Sequence, residues 1–186
     1  MKRKSSDKLK SRLFLLLKTN AFFKRSITLS SGKKSNYYID GRLVTLSAEG
    51  AWLSAKIILD LIQRERIGAI GGPTIGADPI IGAIAAISFL EKRSLNMFII
   101  RNTSKAHGRQ QLIEGPKIKR GTSVILVDDV ATTGGSIVKS IKILRKRGIK
   151  VKKAIVLVDR QEGARELLAK AGCRLKSIFT ASDFLA

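Results

Sequence analysis

The chain has 186 residues, enough for one domain that buries roughly 70% of its unfolded surface. Thirty-six Lys and Arg against 14 Asp and Glu give a net charge of +22, which draws polyanions and phosphate-rich ligands; aromatics, at 5%, are too sparse for a base-stacking platform, so no specific nucleic-acid partner is expected. The longest apolar run, residues 80–90, is too short to span a bilayer, and the lone Cys173 excludes an internal disulfide, which suits a reducing cytoplasm.

Residues 1–7 are basic, with no long apolar core or small-residue cleavage site behind them, so no secretory signal is expected. Leu9, Leu13, Leu16 and Leu17 predict a short amphipathic helix over 8–17. Residues 22–29, a polar turn at 30–36 and an extended segment at 37–42 predict a hairpin-bearing N-terminal flap. A helix is predicted over 46–66, with Ala48, Trp52, Ala55, Leu59 and Ile62 on one face, which makes Trp52 a core residue. A short strand at 67–72 ends in glycines. The loop at 73–79 then opens an apolar helix through Leu90, and its glycine lets backbone amides approach an anion.

Residues 96–101 read as a third buried strand. Residues 102–121 follow with no period, polar, basic and punctuated by glycine. Long loops of this kind are commonly functional lids or disordered, and Arg101, Lys105, His107 and Arg109 would suit closure over a diphosphate.

The next stretch, residues 124–136, is the most informative. Val124, Ile125, Leu126 and Val127 read as a buried parallel strand with Asp128 and Asp129 at its carboxyl end. Val130 and Ala131 lead into Thr132, Thr133, Gly134, Gly135 and Ser136, and Ile137, Ile141 and Leu144 continue at helical spacing to Gly148. Backbone amides, hydroxyls and a helix N-terminus suit a phosphate, while adjacent carboxylates suit the vicinal hydroxyls of a ribose. A Walker-type phosphate loop is excluded, because Gly32-Lys33 is followed by Lys34 and lacks the upstream glycine.

A further strand at 151–158 leads to Asp159 and Arg160, and the arginine could hold a carboxylate by two parallel bonds or simply pair with Asp159 at the surface. Ala164, Leu167, Leu168 and Ala171 make a last helix, Cys173 is a small packed residue, and 175–179 is a final strand. Strands alternating with helices predict an α/β fold with a parallel sheet covered on both faces.

Several blocks resemble one family in the correct order. Residues 124–136 resemble the 5-phosphoribosyl-1-diphosphate (PRPP) signature of type I phosphoribosyltransferases, and residues 71–79 resemble that family's pyrophosphate loop. Residues 29–42, ending in Tyr37-Tyr38-Ile39-Asp40-Gly41-Arg42, resemble the hood string of orotate phosphoribosyltransferases. Lys105, His107 and Gly108 resemble the catalytic loop, although Asn102 stands where relatives commonly carry lysine; residues 158–163 resemble the substrate loop.

The resemblance implies a single phosphoribosyltransferase domain over 1–186, a parallel sheet flanked by helices. About 1–45 would contribute to a small N-terminal hood, and about 102–120 would form a mobile catalytic loop. It implies transfer of the phosphoribosyl group from PRPP to orotate, giving orotidine 5′-monophosphate and pyrophosphate, with Mg²⁺ bound mainly through substrate and water. Residues 130–136 would hold PRPP, with Asp128 and Asp129 on the ribose. Arg101, Lys105, His107 and Arg109 would lie at the diphosphate, and Thr132, Arg160, Tyr37 and Tyr38 around orotate. It further implies a cytoplasmic homodimer that shares the loop across its interface. A phosphoribosyltransferase for another nucleobase and a PRPP-sensing, nucleic-acid-binding regulator are the alternatives.

Overall fold

The computed structural model describes residues 2–28, 34–93, 95–101 and 112–186, with the backbone alone for 2–5. Helix α1 (Lys2–Asn20) is longer than its leucine stripe, because helix-tolerant polar residues flank that stripe on both sides. Leu13 and Leu17 are fully buried and Leu9 and Leu16 pack beside them. Four short strands follow, β1 (Phe22–Phe23), β2 (Ile27–Thr28), β3 (Lys34–Ser35) and β4 (Tyr38–Ile39). β1 pairs antiparallel with β4 and β2 with β3, so the chain doubles back here as a hairpin-bearing flap.

Helices α2 (Arg42–Thr45) and α3 (Ala48–Leu61) lead to β5 (Ala69–Pro73), α4 (Asp78–Leu90), β6 (Asn96–Ile100), β7 (Ile113–Glu114) and β8 (Ser123–Ala131). Helix α5 (Gly135–Lys146), β9 (Lys150–Asp159), α6 (Ala164–Lys170), β10 (Arg174–Thr180) and α7 (Ala181–Leu185) complete the chain. The main sheet has the order β10-β9-β8-β5-β6-β7 and is parallel except for β7, which returns antiparallel beside β6. β7 lies within the stretch that shows no period in the sequence; two residues are too few to carry one.

Side chains of β8 alternate between two cores, as a strand period of two requires. Ile125 and Val127 join the cluster under α1, α3 and α4, while Val124 and Leu126 join the one under α5 and α6. Each such side chain contributes roughly 1.5–3 kcal/mol by burial. Phe14 of α1, Phe22 of β1 and Phe179 of β10 each have ring centroids within 6.2 Å of Phe184 in α7, which seats the flap and the C-terminus on one another.

Trp52 corrects the sequence reading: it is 46% exposed rather than core. Ala55, Leu59 and, just past the helix, Ile62 are buried as read, but Gly50, Leu53, Ser54, Ile57 and Ile58 are buried too, so the buried surface is wider than predicted and leaves out Ala48 and Trp52. Gly50 brings α3 close to α2, since a Cβ there would come within 2.1 Å of the Val44 carbonyl oxygen. The Ser47 hydroxyl accepts from the Gly50 N–H and starts the helix two residues later than predicted. Among the described residues, no helix is long and apolar enough to cross a membrane.

Candidate active site

The chain adds β6 on one side of β5, then crosses to β8, β9 and β10 on the other, so the carboxyl ends of β5 and β8 form a switch point. A cleft of about 410 Å³ opens there. Tyr38, Asp40 and Arg42 enter from the flap, Thr74 and Gly76 from the turn after β5, and Asp128, Asp129, Thr132 and Ser136 from β8 and its loop. Arg160 closes one side.

Asp128 and Asp129 lie inside β8 rather than after its end, a second correction. The ladder to β9 continues through Asp128–Val156, Val130–Val158 and Ala131–Asp159. An apolar run marks only the part of a strand that faces a core on both sides, so it stopped short of the carboxylates. The Asp129 N–H donates to Asp128 Oδ1 at 3.0 Å, and the Val130 N–H donates to Asp129 Oδ1 at 2.8 Å. Both carboxylates are crowded. A Cβ at Gly76 would fall 2.3 Å from Asp129 Oδ1 and 2.5 Å from Asp128 Oδ1, and one at Gly41 would fall 2.8 Å from Asp129 Oδ2.

Burial pushes Asp128 well above the usual carboxylate range, and the neighbouring Asp129 charge adds to it. Burial also raises Asp129, opposed by the Val130 N–H, by the bond with Asp128 and by Arg42. Asp128 is therefore the member that holds a proton more readily. Beside them Arg42 grips Asp40 through two parallel bonds, Nε to Oδ1 at 2.9 Å and Nη2 to Oδ2 at 3.0 Å. That bond, first among the causes, holds the Asp40 carboxyl below its ordinary value.

The loop behind the acidic pair turns at Gly134, whose φ of +80° favours glycine and where a Cβ would meet Leu168 at 2.6 Å. Helix α5 starts at Gly135, and Thr132 and Ser136 face the cleft beside its N-terminus, the arrangement that suits an anion. Val130 also lines the cleft; Ala131 is buried, and its carbonyl accepts from the Arg160 N–H at 2.9 Å.

Arg160 is only 3% exposed. Its Nε donates to Glu162 Oε1 at 2.9 Å, and its Nη2 donates to Ser35 Oγ at 3.1 Å and to the Tyr37 carbonyl at 3.4 Å. The guanidinium also lies 4.6 Å from the centre of the Tyr37 ring, which stacks on Phe22. Asp159 is held instead by Arg165 and by the Gln161 N–H, so the surface Asp159–Arg160 pairing is not what forms. Tyr38 reaches the cleft, whereas Tyr37 supports the arginine.

Sequence reading took Gly76 as a close approach to an anion and not to the acidic pair, and it did not single out Ser35, Gly41 or Glu162; Ser35 and Gly41 depend on partners far along the chain. Asp40 and Arg42 carried a local signal, an Asp-x-Arg spacing that permits a two-bond grip. Arg101 follows β6 directly, where its N–H donates to the Leu112 carbonyl at 2.9 Å and its Nη1 lies 3.7 Å from Glu114. Lys105, His107 and Arg109, with Asn102, lie outside the described residues.

The profile of the phosphoribosyl transferase domain matches residues 46–179. An orotate phosphoribosyltransferase of Synechocystis is 41% identical over 171 residues, covering 92% of this chain and 86% of that protein. The crystal structure of Mycobacterium tuberculosis orotate phosphoribosyltransferase in complex with Fe(III) dicitrate superposes with a TM-score of 0.81 at 32% identity, covering 95% of this chain and 98% of that one. The same enzyme in complex with PRPP gives a TM-score of 0.78 at 29% identity, covering 96% and 99%. A sheet with its switch point between β5 and β8 and an acidic pair followed by a glycine-turned loop thus coincides with relatedness over nearly the whole length, and the chain belongs to the orotate phosphoribosyltransferases of the phosphoribosyltransferase family.

Proposed function

We propose that the protein transfers the 5-phosphoribosyl group from PRPP to orotate, giving orotidine 5′-monophosphate and pyrophosphate, the step that supplies a pyrimidine nucleotide. The observation that carries this reading is the convergence on one cleft of the Asp128–Asp129 pair, the α5 N-terminus and the buried Arg160.

Breaking the bond from C1 of the ribose to the diphosphate leaves positive charge on the ring and negative charge on the departing group. Positioning and electrostatic stabilisation lower that barrier without a protein nucleophile. In this proposal Thr132, Thr133, Gly134, Gly135 and Ser136 hold the 5′-phosphate, and the carboxylates accept from the ribose hydroxyls. Thr74 and Gly76 border the diphosphate. Arg160, already aligned by Glu162, Ser35 and Tyr37, presents its guanidinium to the orotate carboxylate. Arg101, Lys105, His107 and Arg109 neutralise the leaving group.

Among the described residues, no group of three or more His, Cys, Asp or Glu is disposed to hold a metal by itself. The donors do suit Mg²⁺ bound mainly through substrate and water: Asp128 and Asp129 are hard oxygens, and the Oδ1 atom of nearby Asp78 is buried without a hydrogen-bond partner. Mg²⁺ at this position supplies neutralisation of diphosphate charge.

We also infer a cytoplasmic homodimer. Leu43 of α2, Leu46 just after it, Trp52 of α3 and Ile75 beside the cleft are large apolar side chains left exposed, Leu46 by 72%, which supports a protein contact next to the site. The domain outline, with residues of about 1–45 serving as a hood, is part of the same proposal and is supported by the reach of Tyr38 and Arg42 into the cleft. The deciding assay follows loss of orotate absorbance on mixing the protein with PRPP, Mg²⁺ and orotate, with uracil, adenine and xanthine as parallel acceptors. Consumption of orotate alone is expected; turnover of another base, or of none, would overturn the assignment.

A further inference from the structure

At the opposite, amino edge of the sheet lies a cavity of about 620 Å³. Pro116 and Ile118, with the buried Ile113 and Ile149, form its apolar floor, and the exposed Lys117, Arg120 and Arg147 line it as well. We propose that this cavity is a binding site for a nucleoside polyphosphate, its phosphates on the three cations and its base and sugar against Pro116 and Ile118. The site is separate from the cleft and does not rest on the proposed reaction.

Its walls are built rather than incidental. The segment before β8 and the turn before β9 are joined by the Gly121 N–H donating to the Gly148 carbonyl at 2.8 Å and the Lys150 N–H donating to the Thr122 carbonyl at 2.9 Å. Arg120 crosses Gly148 closely: a Cβ there would lie 2.7 Å from its Cγ and 3.0 Å from its Nε. A glycine thus leaves the space in which the arginine is laid toward the cavity. Ile113 and Ile149 are buried in the core beneath, so the floor is anchored.

The field is mainly positive: Glu114, which adjoins the lining residues Ile113 and Gly115, lies beside Arg101, and Glu65 pairs with Lys153. From residue 115 to residue 153 the only carboxylates are Asp128 and Asp129, and they lie near the far end of β8. Lys119, Lys146 and Lys150 are exposed close by in sequence and add to the positive potential. Among the described residues that line the cavity there is no acid. Phosphate groups answer the cations, because guanidinium groups hold phosphate oxygens by parallel bonds. The floor answers something else. Pro116 is exposed and Ile118 half-buried, so an inorganic anion leaves them in water whereas a heterocycle covers them, and the volume falls in the range of small-ligand sites.

The test is calorimetric titration with UTP, ATP and inorganic triphosphate at about 0.1 M salt, where exposed charges act over roughly 10 Å. The parent protein is compared with Arg120→Glu/Arg147→Glu and with Lys142→Glu/Lys170→Glu, which removes the same charge from exposed positions elsewhere. The proposal expects the first variant to bind both nucleotides roughly tenfold or more weakly and the second to stay within about twofold of the parent, with inorganic triphosphate weaker than either nucleotide. Equal loss in both variants would reduce the effect to diffuse charge and overturn the site. Unchanged binding in both would place the nucleotide elsewhere, and triphosphate binding as tightly as UTP would overturn the role of the floor. Absence of nucleotide binding by the parent would end the proposal outright. Thermal unfolding of each variant, expected within a few degrees of the parent because these side chains are exposed, keeps misfolding from imitating the first outcome.

Discussion

Gly76→Ala tests whether the acidic pair must sit where β8 puts it. The new methyl would stand 2.3 Å from one carboxylate oxygen and 2.5 Å from the other, whereas ordinary contact begins near 3.4 Å. Something must therefore move by about 1 Å, since 3.4 − 2.3 is 1.1. The carboxylates cannot both yield freely, because Asp128 Oδ1 and Asp129 Oδ1 accept from the next backbone N–H at 3.0 and 2.8 Å. Either the pair gives up those bonds or the turn carrying Thr74 lifts off the cleft.

Overpacking of this kind costs roughly 1–3 kcal/mol of stability, within the margin of about 5–15 kcal/mol typical of a folded domain. Catalysis is more sensitive, since a 1 Å misplacement costs on the order of 100-fold. The expected result is a folded variant whose kcat/KM for orotate falls roughly 100-fold, read by orotate absorbance beside a thermal melt. Gly41→Ala meets one carboxylate instead of two, at 2.8 Å, and should lose less, roughly tenfold. Near-parental turnover by a folded Gly76→Ala variant would refute the reasoning, as would a larger loss at Gly41.

Asp128→Asn should stabilise the protein while abolishing turnover. A carboxyl whose folded-state pKa is raised contributes stability that is complete below its unfolded value near 3.9 and is lost as pH rises through the folded value. The variant's advantage in Tm should therefore be absent in strong acid and grow toward pH 8, by roughly 2–4 °C for each kcal/mol relieved; a constant difference across pH would contradict it. Arg160→Ala should raise the orotate KM roughly 10–100-fold while PRPP affinity holds, and equal losses would mark the arginine as merely structural. Lys105→Ala should cut kcat strongly with PRPP still bound, as equilibrium dialysis would show; unchanged turnover would remove Lys105 from the chemistry. Phe184→Ala, which empties the centre of the cluster formed with Phe14, Phe22 and Phe179, should cost about 3–5 kcal/mol in denaturant unfolding, and a loss below about 1 kcal/mol would show that the flap does not depend on α7.

The sheet was legible because buried parallel strands are nearly continuous apolar runs. Val124 to Val127 and the run in β9 announced themselves on composition alone. The helix faces were legible only where their phase was fixed by side chains. The leucines of α1 gave theirs correctly, and in α3 Ala55, Leu59 and Ile62 are buried as read, but Gly50 is buried against Val44, a contact made by the absence of a side chain, and Trp52 faces out. Hydrophobic periodicity cannot register a glycine as part of a buried face.

The cleft divides in the same way. The half proposed to face phosphate is one continuous stretch from Asp128 to Ser136, so a single motif carried both composition and geometry. Its other half is assembled across the chain: Ser35 and Tyr37 reach Arg160 over separations of 125 and 123 residues, and Gly41 and Gly76 meet Asp129 from two different turns. No local pattern encodes such contacts, since each partner satisfies ordinary turn chemistry where it stands. The consequence bears on specificity. The guanidinium of Arg160 is oriented by a flap residue on one side and by Glu162 on the other, so in the proposed role acceptor choice depends on the flap being seated as much as on the arginine itself. A change at Ser35 should then alter orotate KM without touching the PRPP half, whereas an arginine grafted onto an unrelated flap would keep its charge and lose its aim.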